Sequence, residues 1–323
     1  MTKHAPFIHT GERSVLFQLD VLLMLAVLTL ISYVFYGWRP VLLILCGMAC
    51  ATLYELLGCM LRRRRIDPSD LSCAVTGALV AMMMSPTAPY WLPAVAAAFA
   101  VLLVKLPFGG TGRNLFNPAA AGVAFVTVLF PAYMTSFPAA SLNMQALPLT
   151  GTAELQTVTS PAGQWLSSGT LSLTWGDWLL GEFSGPIGAA AGIVIAACAI
   201  YLFVRRTAAP SLTLSFLLTC TAGARLLCQD WQQALLLIGA TPIFFASVFL
   251  LTDPVTSPHN TPGRILYGMA AAGIVLLMRR YCAYEETVCF ALLLANATAP
   301  LFDRLGGLLL RRLDSRRHRE VEG

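Results

Sequence analysis

Charged residues are scarce in this chain. Asp, Glu, Lys and Arg make up 11% of its 323 residues, whereas 57% are hydrophobic. A soluble domain usually carries about 25% charged residues, so an ordinary water-soluble fold is excluded. The net charge of +5 does not indicate nucleic-acid binding, because the arginines cluster beside apolar segments, where they set membrane topology. We therefore expect an integral membrane protein.

Histidine and paired cysteine are also missing from the places where cofactors need them. The four histidines (His4, His9, His259, His318) lie in tails or polar loops, which excludes the intramembrane histidine pairs of a b-type cytochrome. The nine cysteines form no Cys-x-x-Cys pair, and the sequence has no P-loop, soluble dinucleotide-binding unit or metal-ligand cluster. We predict buried thiols and no metal site.

What the sequence does contain is a series of apolar segments about 20 residues long, the length that crosses a bilayer as a helix. The predicted fold class is an all-α integral membrane protein with about ten transmembrane helices. The seventh segment is the weakest, because Arg225 and several threonines interrupt it. The ten lie near 17–36, 41–60, 71–87, 91–106, 119–134, 185–204, 210–227, 234–251, 265–280 and 286–302.

The basic residues predict the orientation. Arg62–Arg65 follow the second segment, which places that flank in the cytoplasm, and alternation then puts both termini there. No Lys or Arg lies between Arg113 and Arg205, the interval with the longest polar loop, whereas Arg279 and Arg280 violate the rule at an outer end. Five segments per half would make any repeat inverted, a common transporter plan. The predicted divisions are a first membrane half (1–134), an extracytoplasmic loop (135–184), a second membrane half (185–303) and a basic cytoplasmic tail (304–323).

A polar break with a proline interrupts the first half. It runs from Lys105 to Gly122 and contains Gly109, Gly110, Arg113, Asn114 and Asn117. Its glycines let backbone approach a ligand closely, and Pro118 suits a helix that begins directly after a loop. Free N–H groups at that helix start, beside Lys105 and Arg113, would form an anion site. The alternative is a tight turn followed by close helix packing.

A second break, Thr252–Arg264, interrupts the second half and contains Asp253 and Thr256. Asp253 lies at the edge of an apolar segment, where an ionisable group is costly and is usually functional. The structural alternatives are that it caps the following segment or pairs with Arg264.

Both breaks are similar to motifs of a known family. The run from Ser85-Pro through Phe108-Gly-Gly to Phe116-Asn-Pro-Ala-Ala-Ala-Gly122, the run Thr252-Asp-Pro-Val-Thr-Ser-Pro258 and the last segment's Ala295-Asn296 closely resemble the D subunit of the Rnf ion-translocating electron-transport complex. That subunit is related to the B subunit of the sodium-pumping NADH:quinone reductase. The resemblance extends over nearly the whole chain.

The resemblance implies a flavin-binding subunit of a translocase-class oxidoreductase, not catalytic alone. The complex would couple electron transfer between ferredoxin and NAD to Na⁺ or H⁺ translocation in the bacterial cytoplasmic (inner) membrane, with other Rnf-type membrane and redox subunits as partners. The implied cofactor is FMN, with riboflavin as the alternative. The residues expected to hold it are Lys105, Gly109, Gly110, Arg113, Asn114, Asn117, Asp253 and Thr256.

The family resemblance also implies FMN joined through its phosphate to a threonine of the outer loop. The best match is Gln156-Thr-Val-Thr-Ser-Pro-Ala-Gly163, which places Ala162 at the acceptor position. Alanine has no hydroxyl and cannot form a phosphoester, so covalent attachment stays open. Thr159 and Ser160 are the nearest hydroxyls. Thr241 sits in a Gly-Ala-Thr-Pro match to the acceptor motif but falls within the eighth predicted segment.

Alternatives from other functional classes therefore remain. The chain is either a redox subunit whose flavin is non-covalent or attached elsewhere, or a non-redox membrane subunit that keeps the fold for assembly or ion passage. A free-standing solute channel is a more remote possibility, since urea and ammonium channels resemble this repeat plan.

Overall fold

The structure, a computed structural model, describes residues 11–63, 69–139, 147–149, 157–189, 191–228, 230–282, 284 and 287–322. In those ranges the chain is helical, apart from loops and one short antiparallel ladder in which Phe137 pairs with Val158 and Pro138 with Thr157. The prediction of an all-helical protein is confirmed.

Over residues 11–63 and 69–129, the structure describes five helices of the first half. α1 (Gly11–Tyr36) and α2 (Trp38–Leu61) pack against each other and are separated by Gly37 alone. Gly37 has a φ of 73°, which glycine adopts without steric cost, and its N–H donates to the Tyr33 carbonyl at 2.8 Å. The remaining helices are α3 (Ser72–Met82), α4 (Trp91–Ala98, continued by a π-helix over Phe99–Lys105) and α5 (Pro118–Leu129).

The segment between the halves holds short elements. They are α6 (Pro131–Met134), β1 (Phe137–Pro138), β2 (Thr157–Val158), α7 (Pro161–Ser168), α8 (Trp175–Leu180) and a 3₁₀ turn (Ile187–Ala189). Trp178 of α8 fixes this segment to the second half. A Cβ atom on Gly192 would lie 2.4 Å from the Trp178 ring, and one on Gly239 would lie 2.6 Å from it. Both glycines therefore make room for the indole.

The second half is also helical, and one of its apolar segments is divided into two helices. Its helices are α9 (Gly192–Val204), α10 (Pro210–Leu227), α11 (Trp231–Gly239), α12 (Pro242–Phe249), α13 (Thr261–Tyr281) and α14 (Val288–Glu322). α11 and α12 meet at 58°, and Pro242 occupies the first turn of α12, where its missing N–H costs nothing. α2 packs on α3 and α4, and α10 packs on α11 and α13, a matching arrangement in the two halves.

Each of the ten predicted segments overlaps a helix or, for the eighth, the α11–α12 pair. The fifth segment also covers α6, and the sixth also covers the 3₁₀ turn before α9. α1 from Val15, α2, α13 and α14 as far as Arg312 are long and apolar enough to cross a membrane, and the bent α11–α12 pair would make a fifth span. α3, α4, α5 and α9 are apolar but shorter. Multi-pass membrane character is thus supported, while the count of ten crossings stays a prediction. α14 continues as a helix through the predicted tail up to Glu322.

The buried core lies where the halves meet, around Leu28, Leu92, Ile187, Phe245 and Tyr267, each fully buried. Many outward leucines are exposed instead, as Leu218 is at 69%, which suits a surface covered by lipid or by other subunits.

Candidate functional site

Both breaks line one cavity of about 210 Å³. It lies at the end of the helices that the sequence predicts to be cytoplasmic, beside residues 17–21 of α1 and the first turns of α3. Of the predicted site residues, it brings together Lys105, Asn114, Asn117 and Asp253. Its apolar wall is formed by Val21, Val75, Leu79, Leu202, Val248 and Phe249.

Asn117 ties the first break to the second. Its Oδ1 accepts from the Ala120 N–H at 3.1 Å and so caps α5, as its position before a first-turn proline predicts. Its Nδ2 donates to the Leu250 carbonyl, at the end of α12, at 3.0 Å. Asn117 is only 3% exposed, so water does not replace these bonds.

Asn296 of α14 forms a hydrogen bond with the backbone of Asn117. Its Oδ1 accepts from the Asn117 backbone N–H at 3.0 Å, and its Nδ2 donates to the Tyr267 hydroxyl at 2.8 Å and to the Thr256 carbonyl at 3.4 Å. One amide side chain therefore joins the start of α5, the second break and α13.

Asp253 caps its own loop. Its carboxylate accepts from the Val255 N–H at 3.1 Å and from the Thr256 hydroxyl at 3.2 Å. Arg264 donates to the Pro258 carbonyl at 2.9 Å, which favours the capping interpretation over pairing with Arg264. Burial raises the pKa of Asp253 above its usual range, although these two hydrogen bonds act in the opposite direction. Thr256 is not part of the cavity wall. It is linked to the cavity by the hydrogen bond from its hydroxyl to the wall residue Asp253.

Lys105 reaches the cavity but is not free to bind an anion there. Its Nζ lies 2.8 Å from Glu55 Oε1 and donates to Ser72 Oγ at 2.6 Å and Cys73 Sγ at 2.9 Å. It is 1% exposed, so the ion pair with Glu55 neutralises it in a site of low polarity. The π-helix that ends at Lys105 is a rare form often found at functional sites.

A polar network joins Asp70, which is not itself in the cavity wall, to the wall residues Gln18, Ser72 and Thr111. The Asp70 carboxylate accepts from Thr111 Oγ1 at 2.6 Å, Gln18 Nε2 at 3.0 Å and the Ser72 N–H at 2.9 Å. Burial opposes ionisation, but the bonds from Ser72 and Thr111 and the Lys105 charge outweigh it, and the pKa of Asp70 is lowered. A second carboxylate, Asp20, accepts from Arg205 Nε at 3.1 Å and from the wall residue Thr207 at 3.2 Å.

The remaining residues of the first break take separate positions. Gly109 and Gly110 have φ values of 118° and 90°, which only glycine adopts easily, so they shape the turn and are not in the cavity wall. The Arg113 side chain is exposed. Asn114 faces the cavity, and its buried Oδ1 has no hydrogen-bond partner among the residues that the structure describes.

Comparison with known protein families gives a match over most of the chain. The sequence model of the NQR2, RnfD, RnfE family matches residues 1–306. The chain belongs to this family. The resemblance inferred from the two breaks is thereby confirmed.

Three relatives illustrate the match, each named as the D subunit of its complex. The one from an ion-translocating oxidoreductase complex of Halorhodospira halophila is 32% identical, over 88% of this chain and 87% of that protein. A protein of the same name from Aeromonas salmonicida is 29% identical, over 93% and 95%. The one from the Na⁺-translocating ferredoxin:NAD⁺ oxidoreductase complex of Acetobacterium woodii is 29% identical, over 88% and 86%.

The predicted family acceptor position and the three alternative hydroxyls differ in exposure. Ala162 is 1% exposed and Ser160 is 2% exposed, whereas Thr159 is exposed at a second cavity of about 250 Å³. Thr241 is 1% exposed at the α11–α12 break, where its hydroxyl donates to the Leu237 carbonyl at 2.8 Å. Gln156 lies outside the described residues.

Sequence reasoning missed several residues that build the inner site. Glu55 pairs with Lys105 from a position 50 residues away, and Gln18 reaches the 70–72 turn from α1. Neither pairing leaves a local pattern in the sequence. Asn296 does leave one, because an amide inside an apolar segment is costly and needs partners.

Proposed function

We propose that this chain is a membrane subunit of an ion-translocating oxidoreductase complex and that it binds a flavin non-covalently. The binding site would be the cavity lined by the two breaks, which we call the inner cavity. Membership of the NQR2, RnfD, RnfE family supports the first part. All three relatives carry that kind of name, and the Acetobacterium one is named for Na⁺, ferredoxin and NAD⁺. On this proposal the chain works with other membrane and redox subunits.

The single observation that carries the flavin proposal is Asn114 Oδ1. A buried acceptor without a partner costs about 1–3 kcal/mol. Because Asn114 lines the cavity, turning its amide toward the cavity would pair this oxygen with a ligand N–H group. The flavin ring has such a group on its polar edge and an apolar, dimethyl-substituted end. The cavity offers both surfaces, because Leu79, Val248 and Phe249 line it together with Asn114 and Asn117.

Size and charge restrict how a flavin would sit. The free volume of about 210 Å³ is below the roughly 300–1,000 Å³ of sites that enclose a whole ligand, so the ring would enter and the ribityl chain would leave through the mouth. Lys105 is neutralised by Glu55, and the Asp253 carboxylate lies in the wall. A phosphate inside the cavity would thus find no free cation among the described wall residues, which favours riboflavin, or FMN with its phosphate outside.

A bound flavin would supply the electron-transfer chemistry, and the protein residues would have other roles. Asn114 and Asn117 would orient the polar edge, the apolar wall would exclude water, and the Asn117–Asn296 bonds would keep the two breaks in register. Replacement of the family acceptor by Ala162 supports one further candidate, a non-redox subunit that retains the fold for assembly or ion passage.

The first test is purification from native membranes in mild detergent. The proposal expects partner subunits in a fixed ratio, together with flavin that is released on denaturation and identified by chromatography. A monodisperse single chain would contradict the subunit assignment. Partners without released flavin would favour the non-redox candidate.

Variants then assign the flavin to the cavity. Asn114→Leu keeps the size and removes the amide, and Leu79→Trp fills the space. Leu235→Trp is the matched control, because Leu235 is 43% exposed on α11, whereas Leu79 is 6% exposed. We expect the two cavity variants to lose most of the flavin and the control to keep it. Equal flavin in all three correctly assembled proteins would contradict the inner site.

A further inference from the structure

The outer loop carries a partial match to the family's attachment motif but lacks the surroundings that a flavin phosphoester needs. We infer that this member carries no covalent flavin there, because its three nearest positions are either closed or electrostatically unsuited to phosphate. The inference rests on the proposed function in one respect only, namely that any flavin of this chain must then be held by the inner cavity.

Position 162 is closed by packing as well as by its lack of a hydroxyl. Ala162 follows Pro161 in the first turn of α7 and is 1% exposed. Its methyl group therefore points into the protein, and a hydroxyl placed on that Cβ would also be buried. Attachment of FMN requires the oxygen to reach the flavin phosphorus from the surface, so this geometry opposes it even after the residue is changed.

Position 160 is closed because its hydroxyl is already in use. Ser160 Oγ accepts from the Gly163 N–H at 3.1 Å and caps α7. Such a cap stabilises a helix by about 0.5–2 kcal/mol. At 2% exposure, there is no room for a phosphate on this oxygen while α7 stays folded.

Thr159 is the accessible hydroxyl, and its surroundings are acidic. The adjoining cavity is lined by Asp177 and Glu182, with Gln164 and Ser184 beside them. A hydrogen bond from Thr174 lowers the pKa of Asp177, so this carboxylate is ionised at neutral pH. No Lys or Arg occurs in the sequence between Arg113 and Arg205, so the loop itself supplies no cation to balance a phosphate charge.

The test uses the full chain co-expressed with a flavin transferase that modifies a threonine-bearing relative, which serves as the positive control. Intact mass and in-gel flavin fluorescence are measured after denaturation. We expect the bare polypeptide mass and no fluorescence for the wild type and also for Ala162→Thr. Ala162→Ser, with a smaller side chain, covers the case in which the threonine variant does not fold.

The outcomes separate the inference from the proposed function. An FMN adduct on the wild type that disappears in Thr159→Ala would overturn the inference and leave the redox proposal standing. A gain of adduct in Ala162→Thr or Ala162→Ser would overturn the argument from burial. Absence of adduct together with absence of releasable flavin would support this inference and refute flavin binding in the inner cavity.

Discussion

Replacing Asn117 tests whether the bond between the two breaks stabilises the protein beyond ordinary helix capping. Asn117→Ala removes the cap of α5, worth about 1 kcal/mol. It also removes the donor to the Leu250 carbonyl, which belongs to a fully buried residue. Among the described residues, this carbonyl would then keep only the long bond from the Asp253 N–H at 3.5 Å, and a poorly paired buried acceptor costs up to about 1–3 kcal/mol. The expected loss, the sum of the cap and the weakened pairing of this acceptor, is therefore about 2–4 kcal/mol.

Two further variants separate these contributions. Asn117→Ser retains a capping oxygen and loses only the bond to Leu250, so about 1–3 kcal/mol should be lost. Asn260→Ala is the matched control, because Asn260 caps α13 through the Gly263 N–H at 2.8 Å. Its amide bonds Asp303, whose side chain is 33% exposed, so water can replace that partner and a loss of about 1 kcal/mol is expected.

The assay is thermal unfolding of the purified complex in one detergent at one scan rate. Membrane complexes often unfold irreversibly, so apparent midpoints are compared only within the series. The expected order of stability is wild type, then Asn260→Ala, then Asn117→Ala as the least stable. If Asn117→Ala were no less stable than Asn260→Ala, the bridge to Leu250 would contribute nothing and the reasoning would be wrong.

Three other predictions address topology, packing and pH. A cysteine at position 141 should react with an impermeant maleimide from outside and one at position 315 should not; both side chains lie outside the described part of the structure, and the reverse pattern would overturn the orientation. Gly239→Ala places a Cβ 2.6 Å from Trp178 Nε1 and should cost about 1–3 kcal/mol, with partial recovery on adding Trp178→Ala; an unchanged midpoint would contradict this packing. Because the pKa of Asp70 is lowered in the fold, its contribution is present above the usual pKa of about 4 and is lost as the pH falls through the lowered value. Asp70→Asn should therefore be less stable than wild type at pH 7, and the difference should shrink as the pH falls below the usual pKa of about 4, whereas a constant difference would argue against an ionised Asp70.

The helices were predictable because each depends on a local property, an apolar run of sufficient length. Asn117-Pro118 likewise predicts a helix start from two adjacent residues, and the structure places α5 there. The break between α11 and α12 also had a local signal in Pro242, but the surrounding apolar residues led to the prediction of one continuous segment. The last predicted segment ends where its apolar residues end. The helical continuation of α14 to Glu322 was not predicted, because a run of charged residues indicates exposure to water but does not distinguish helix from loop.

The site was less predictable, because its main interactions join residues far apart in sequence. Lys105 and Arg113 suggested an anion site from their charge and spacing. In the structure Lys105 is paired with Glu55 from another helix, and Arg113 is exposed. The meeting of the two breaks through Asn117, Leu250 and Asn296 follows from tertiary packing. Asn296 has a local signal as an amide in an apolar segment, but that signal does not identify its partners.

The walls of the inner cavity make ligand binding and the arrangement of the two halves thermodynamically dependent on each other. Asn117 binds both Leu250 and Asn296, and α1 contributes Gln18 to Asp70 and Asp20 to Arg205. Any displacement of one half relative to the other must lengthen bonds that shape this cavity. A ligand that binds the present arrangement of the halves more tightly than a displaced arrangement would therefore stabilise the present arrangement. The stabilisation equals the difference between the ligand's binding free energies to the two arrangements, and displacing the halves would weaken binding by the same amount.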